Sequence, residues 1–227
     1  MEGFSGHDLA CIRSERIVFE SLGFSVRPGG ALVLTGPNGS GKSSLLRLMA
    51  GIARPAAGEI RWDGAPVRDD PEGFFANLHY VGHRDAVKPA LTVRENLAFQ
   101  AALRGGANTP AIDAALDAVG LRPLADMPAR MLSAGQTRRL SLARLRAAPA
   151  PLWLLDEPTI ALDPPSVARI TAAIAEHRAH GGMVVASTNV PLGIDDAVRI
   201  DMAAHESADA ALWGDPGRSE SVRGDSA

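Results

Sequence analysis

The run Gly36-Pro37-Asn38-Gly39-Ser40-Gly41-Lys42-Ser43-Ser44 concentrates more chemistry than any other stretch of this 227-residue chain. Its first eight residues fit the spacing G-x-x-x-x-G-K-[ST]. Glycines let backbone amides turn inward and approach phosphate oxygens with no Cβ in the way. The N-terminus of a helix that follows such a loop adds its own attraction for an anion. Lys42 supplies a point charge for β- and γ-phosphates, and the Ser43 hydroxyl suits Mg²⁺. A second pair, Asp156-Glu157, closes the apolar run Leu152-Trp153-Leu154-Leu155. In open α/β sheets, ligands lie outside the carboxyl ends of the strands, so both acids belong near the phosphates. Asp156 offers a hard oxygen for Mg²⁺, and Glu157 can accept a hydrogen bond from an attacking water and orient it. For two acids alone, a solvated turn is an equally good reading; the phosphate loop tips the balance. A third group, Leu132-Ser133-Ala134-Gly135-Gln136, precedes an Arg-rich helical stretch. Ser133 reads as an N-cap, and that helix end either meets an anion or is simply capped.

These groups need a frame to hold them. Ala31-Leu32-Val33-Leu34-Thr35, Leu152–Leu155 and Met183–Ser187 are short apolar runs of the kind found in strands buried on both faces. Ile17–Val26 reads as an earlier strand followed by the turn Arg27-Pro28-Gly29-Gly30. Helical patterns cover Ser43–Gly51, Thr92–Leu103, Pro110–Val119, Gly135–Arg146 and Pro164–His180. Strands alternating with helices, interrupted by a helical insertion, point to an α/β core with parallel central strands.

Composition narrows the class. Lys and Arg number 23 against 26 Asp and Glu, a net charge of −3, which argues against a domain held on nucleic acid by bulk charge. Hydrophobic residues at 46% and charged residues at 22% suffice for a real core. One cysteine rules out an internal disulfide framework and fits a reducing cytosol. Neither a membrane-spanning apolar run nor a secretion signal is evident, so a soluble cytoplasmic protein is expected.

Taken with their order and spacing, the motifs resemble those of ABC transporter nucleotide-binding subunits over about residues 10–205: Walker A at 36–43, the signature Leu-Ser-Ala-Gly-Gln at 132–136, Walker B at 152–157 and a D-loop at 161–163. The resemblance implies an α/β P-loop NTPase fold with a parallel-sheet core, N-terminal antiparallel β strands and an inserted α-helical subdomain. It implies one ABC ATPase domain at 1–205 with helices inserted at about 89–148, leaving 206–227 as a polar, flexible tail. By the same resemblance, two subunits form a homodimer on binding ATP, sandwiching two nucleotides head to tail. Residues 36–44 and Lys42 hold phosphates, Ser43 and Asp156 hold Mg²⁺, and Glu157 polarises water. Ser133 and Gly135 contact the partner's γ-phosphate, Gln136 completes the nucleotide-binding signature, Asp163 belongs to the D-loop, and no nucleic acid is involved. Integral membrane transporter subunits are implied as partners, docking just after the Q-loop around Asp85–Leu91, with Val87 as a contact. The implied location is the cytoplasmic face of a bacterial inner membrane, as a peripheral subunit.

Four positions depart from the family pattern. Ala134 replaces a usual Gly in the signature. His83 stands at the Q-loop position that commonly carries Gln, and its ring can still donate or accept a hydrogen bond. Arg13 occupies the place of an aromatic that stacks on adenine, which a guanidinium can also do. Asn189 stands where a switch histidine is expected, and an amide donates a hydrogen bond without carrying charge. Gly82-His83 running into Lys88-Pro89-Ala90-Leu91-Thr92 resembles the haem-exporter ATPases of bacterial cytochrome c maturation. Alternatives are an ABC ATPase for another cargo, or an ATP-binding switch with little turnover.

Overall fold

A computed structural model describes residues 2–106 and 108–205; the tail expected at 206–227 lies outside the described residues. Two sheets organise the chain. β1 (Phe4–Arg13) and β2 (Arg16–Val26) form an antiparallel hairpin, and with β4 (Ala57–Trp62) and β5 (Ala65–Pro66) they make a four-stranded sheet in the order β2-β1-β4-β5. The second sheet takes β3 (Ala31–Thr35), β6 (Leu78–Val81), β7 (Leu152–Asp156), β8 (Met183–Ser187) and β9 (Val198–Asp201) in the order β6-β7-β8-β3-β9, with every pairing parallel. The three continuous apolar runs are its central strands β7, β8 and β3. Every residue of β7 and β8 is buried, and so are the first four of β3. Strands covered on both faces have no solvent side to make polar, so no alternation shows in their sequences.

The first core lies between the two sheets around α1 (Lys42–Met49), where Leu32, Leu34, Leu45, Leu46 and Leu154 are fully enclosed with Phe4 and Phe19. Each such side chain contributes ~1.5–3 kcal/mol relative to exposure. A second core covers the other face of the parallel sheet, where Ile170 and Ile174 of α6 (Pro164–Ala179) pack on Trp153, Leu155 and Val184. A third is built among α3 (Val93–Ala102), α4 (Thr109–Ala118) and α5 (Ala134–Ala147), from Leu97, Ile112, Leu116, Leu121 and Leu140. The short α2 (Pro71–Ala76) leads into β6. Thr92 and Glu95 form a capping box at the start of α3, and Asn108 and Asp163 cap α4 and α6, so each helix begins where a side-chain oxygen meets an orphan amide.

β6 carries a polar residue into this frame. His79 is 3% exposed, and its Nε2 lies 2.5 Å from the Ala148 carbonyl just beyond α5. Burial above all drives its pKa down to about 4, against the pull of the Ala148 carbonyl and with help from Arg104 and Arg144. A lowered folded-state pKa means the unfolded chain takes the proton first. Stability therefore falls as pH drops from about 6.5 towards 4. At pH 5 the His79 contribution to this loss is about 2 kcal/mol. His79→Gln, which keeps an N–H donor for Ala148, should lose less stability than the parent between pH 7.5 and pH 5 in urea unfolding. Equal losses in the two proteins would mean His79 does not set the acid sensitivity.

Candidate nucleotide site

The phosphate loop is the turn from β3 into α1. Gly36, Gly39 and Gly41 all have positive φ, at 127°, 89° and 95°. At Gly41 an added Cβ would stand 2.7 Å from Val18 Cγ1, so β2 presses directly on the loop and only glycine fits. The N-cap of α1 is this same Gly41, which has no side chain to cap the first-turn amides; they are left for an anion. Lys42 is 6% exposed, and its Nζ donates to the carbonyls of Gly36 (2.6 Å) and Pro37 (2.8 Å). An ammonium has three donors, so it can serve the loop and a phosphate together.

The acids arrive from the neighbouring strands. Register pairs Asp156 of β7 with Ser187 of β8, and Ser187 in turn with Leu34 of β3, so all three strands end level with the loop. Asp156 is 2% exposed; its Oδ1 accepts from Ser187 Oγ at 2.7 Å, while Oδ2 is buried with no hydrogen-bond partner. A buried carboxylate oxygen without a donor is costly unless a cation faces it. Among the described residues no three His, Cys, Asp or Glu side chains gather as a metal cage. Sparse protein ligation suits Mg²⁺, which keeps waters and takes its remaining ligands from nucleotide phosphates. Asp156, with the half-buried Ser43 hydroxyl, thus fits the ion.

Glu157 adopts a left-handed backbone, φ 48°, which non-glycine residues enter only under constraint. Its amide donates to the Ser187 carbonyl (3.1 Å) and Oγ (3.0 Å), and its carbonyl accepts from Arg138 Nη2 (2.7 Å). Asn189, just past β8, donates from Nδ2 to Asn38 Oδ1 of the phosphate loop at 3.3 Å. Lys42, Ser43, Asp156, Glu157 and Asn189 are therefore gathered at one end of the parallel sheet.

Other expected residues stand elsewhere. Arg13 is exposed at the tip of the β1–β2 hairpin, paired across the turn with Arg16, two residues along β2 from Val18. His83 is exposed in the loop after β6. Ser133 and Gln136 form a capping box at α5: Gln136 N–H donates to Ser133 Oγ (3.2 Å) and Ser133 N–H to Gln136 Oε1 (2.8 Å). Among the described residues no hydrogen bond joins residues 132–136 to the phosphate loop. A Cβ at Gly135 would lie 2.8 Å from the Ala161 carbonyl, so the signature rests against the D-loop of its own chain. Asp163 accepts from the Ser166 amide at 3.0 Å as the cap of α6, and the Ser166 hydrogen bonds lower its pKa. Val87 is half-buried and packs against the helical core. Its loop is clamped by the buried Asn96, which accepts from the Lys88 amide (2.7 Å) and donates to the carbonyls of Lys88 (3.0 Å) and Thr92 (2.9 Å). Motif spacing in the sequence assigns no site role to Ser187, Arg138 or Asn96. Only Ser187 carries a signal there, as a polar residue ending an apolar strand at the ligand edge.

A parallel sheet that ends in a glycine-rich loop, two acids and a polar turn defines a P-loop nucleoside triphosphatase. A family model described as ABC transporter matches residues 19–160. The cytochrome c biogenesis ATP-binding export protein CcmA of Rhodospirillum rubrum is 58% identical over 194 residues, 86% of this chain and 83% of its own length. The protein of the same name from Paramagnetospirillum magneticum is 55% identical over 205 residues, covering 88% and 93%. Among solved structures, a putative ABC transporter ATP-binding protein from Pyrococcus furiosus superposes with a TM-score of 0.79 at 26% identity, over 90% of this chain and 99% of that one. A dimeric ATP-binding cassette bound to ADP and phosphate gives a TM-score of 0.72 at 24% identity, covering 82% and 88%. The chain belongs to the ABC transporter family, among the cytochrome c biogenesis ATP-binding export proteins, as an ATP-binding ATPase subunit. Among the described residues no helix is long and apolar enough to cross a membrane.

The orphaned Asp156 oxygen yields a test. Asp156→Asn should weaken binding of Mn²⁺, used as a paramagnetic stand-in for Mg²⁺, by about 10–100-fold in the ATP complex, read by electron paramagnetic resonance. ATP affinity in EDTA should be unchanged. Parent-like Mn²⁺ binding would remove Asp156 from the metal site.

Proposed function

We propose that this subunit hydrolyses Mg-ATP as a homodimer to drive the integral membrane subunits of a haem-exporting or cytochrome c biogenesis complex. It would act as a peripheral protein on the cytoplasmic face of a bacterial inner membrane, with no nucleic-acid partner. One observation carries the hydrolytic reading: a buried Asp156 oxygen without a donor sits next to a Glu157 whose backbone is pinned on both sides, level with the Lys42 loop. Mg²⁺ bound there would neutralise charge developing on the phosphates. Lys42 and the α1 amides would bind and orient the β- and γ-phosphates. Glu157 would accept a hydrogen bond from the attacking water and align it in line with the γ-phosphate. Ser133 and Gly135 would act across the dimer on the opposite nucleotide, which agrees with their hydrogen bonds and packing being made to α5 and Ala161 of their own chain. The names of the relatives support the cytochrome c biogenesis setting.

For the membrane subunits, the open groove between β6, α2 and α3 offers a seat in addition to the 85–91 loop. It measures about 670 Å³ and is rimmed by exposed Ile52, Phe75 and Leu103. Arg104 and Arg144 line it, the latter's pKa lowered by burial to about 10. On this reading residues 89–148 form the helical arm that carries the signature and one wall of the groove.

Glu157→Gln should bind Mg-ATP like the parent but hydrolyse at least about 10²-fold more slowly, because the amide cannot take up a proton. It should accumulate as an ATP-bound dimer on size-exclusion chromatography. Parent-rate hydrolysis would exclude Glu157 as the water-orienting base. The second reading, an ATP switch with little turnover, draws on Asn189, which reaches Asn38 as a neutral donor. Asn189→His should raise phosphate release at saturating Mg-ATP, by up to about 10²-fold, since a ring that can take on positive character better stabilises the developing charge. An unchanged rate, alone and with the membrane subunits, would show that position 189 does not limit hydrolysis.

A further inference from the structure

Arg138 is the largest fully buried side chain among the described residues, 1% exposed and set on the inner face of α5. Its two terminal nitrogens look in different directions. Nη2 donates to the carbonyls of Asp156 and Glu157, both at 2.7 Å. Nη1 donates to the Gly82 carbonyl and to Asp85 Oδ1, both at 2.9 Å. One planar fork thus ties the two acidic residues at the end of β7 to the loop after β6, across gaps of 18, 19, 53 and 56 residues in sequence. Lysine could not make this contact, since it offers a point charge on a flexible stem.

The strain at Glu157 gives the fork its significance. A non-glycine residue holds φ near +48° only when its surroundings over-determine it. Ser187 fixes the amide side of Glu157, and Arg138 fixes the carbonyl side. Removing the carbonyl anchor leaves the backbone free to relax, and the carboxylate then swings away from the line of attack. Asp85, whose side chain is 24% exposed, in turn neutralises and orients the buried guanidinium. We propose that Arg138 is the positioning residue that holds Glu157 in its hydrolytic geometry, and that Asp85 sets Arg138. The proposal rests on the reading of Glu157 as the water-orienting base, but it names residues that act on Glu157 through its backbone.

The test uses the full-length protein with Mg-ATP, measuring kcat, KM and nucleotide Kd for Asp85→Ala, Arg138→Lys, the double variant and Glu157→Gln. Asp85→Ala changes a partly exposed side chain and leaves the fork in place; it should lower kcat about tenfold with KM and Kd within about twofold. Arg138→Lys should lower kcat about 10²-fold with the same retained Kd, and adding Asp85→Ala to it should cost nothing more, because the two act as one unit. A purely structural role would instead change Kd and thermal midpoint together with kcat. Unchanged kcat in Asp85→Ala overturns the proposal, and so does additive loss in the double variant. If Arg138→Lys fails to fold, Asp85→Ala decides alone. Parent-rate hydrolysis by Glu157→Gln would instead overturn the base assignment, whereas an inactive Glu157→Gln beside fully active Asp85→Ala and Arg138→Lys would overturn the positioning role only.

Discussion

Ser187 is the joint on which the site depends. Its hydroxyl donates to Asp156 Oδ1 and accepts from the Glu157 amide, while its carbonyl accepts from that same amide. A single side chain, wholly buried at the end of β8, therefore sets both the rotamer of one acid and the backbone of the next. It can do so because parallel pairing brings Asp156, Ser187 and Leu34 to one level. A slip of one residue in that register would move every side chain to the opposite face of the sheet and separate the acids from the phosphate loop.

What the sequence made legible follows from how local each device is. The phosphate loop, the Walker B acids and the signature are contiguous runs, and their glycines and caps act on neighbouring backbone, so the spacing alone exposes them. The central strands were equally plain, since burial on both faces leaves an uninterrupted apolar run. β6 was missed because it is four residues long and carries His79 in a buried position. β9 was missed because its Val198-Arg199-Ile200-Asp201 lies at the sheet edge, largely exposed. β1 hides its alternation behind register shifts between Gly6 and Leu9 and between Leu9 and Cys11. Arg138 illustrates the deeper obstacle. On paper it is one arginine among several in a helix following Gln136; its role exists only through carbonyls brought to it by folding.

The departures from the family pattern differ in kind. Asn189 is held to Asn38, so the position keeps its place beside the loop and changes only in charge. Arg13 and His83 are both exposed, and neither replacement disturbs the packing around it. Val87 has a structural part as well: half-buried, it packs against the core of α3, α4 and α5. Asn96 explains why, because its four hydrogen bonds fold the 88–92 segment back over that core.

The groove rimmed by Ile52, Phe75 and Leu103 has a consequence for the life of the chain before assembly. Leu103 is 70% exposed and Ile52 59%, so apolar side chains stand open on a rim that also carries Glu72, Gln100 and Arg104. With the membrane subunits in the proposed seat this rim would be covered, and copies made in excess of those subunits would leave it open to chaperones and proteases.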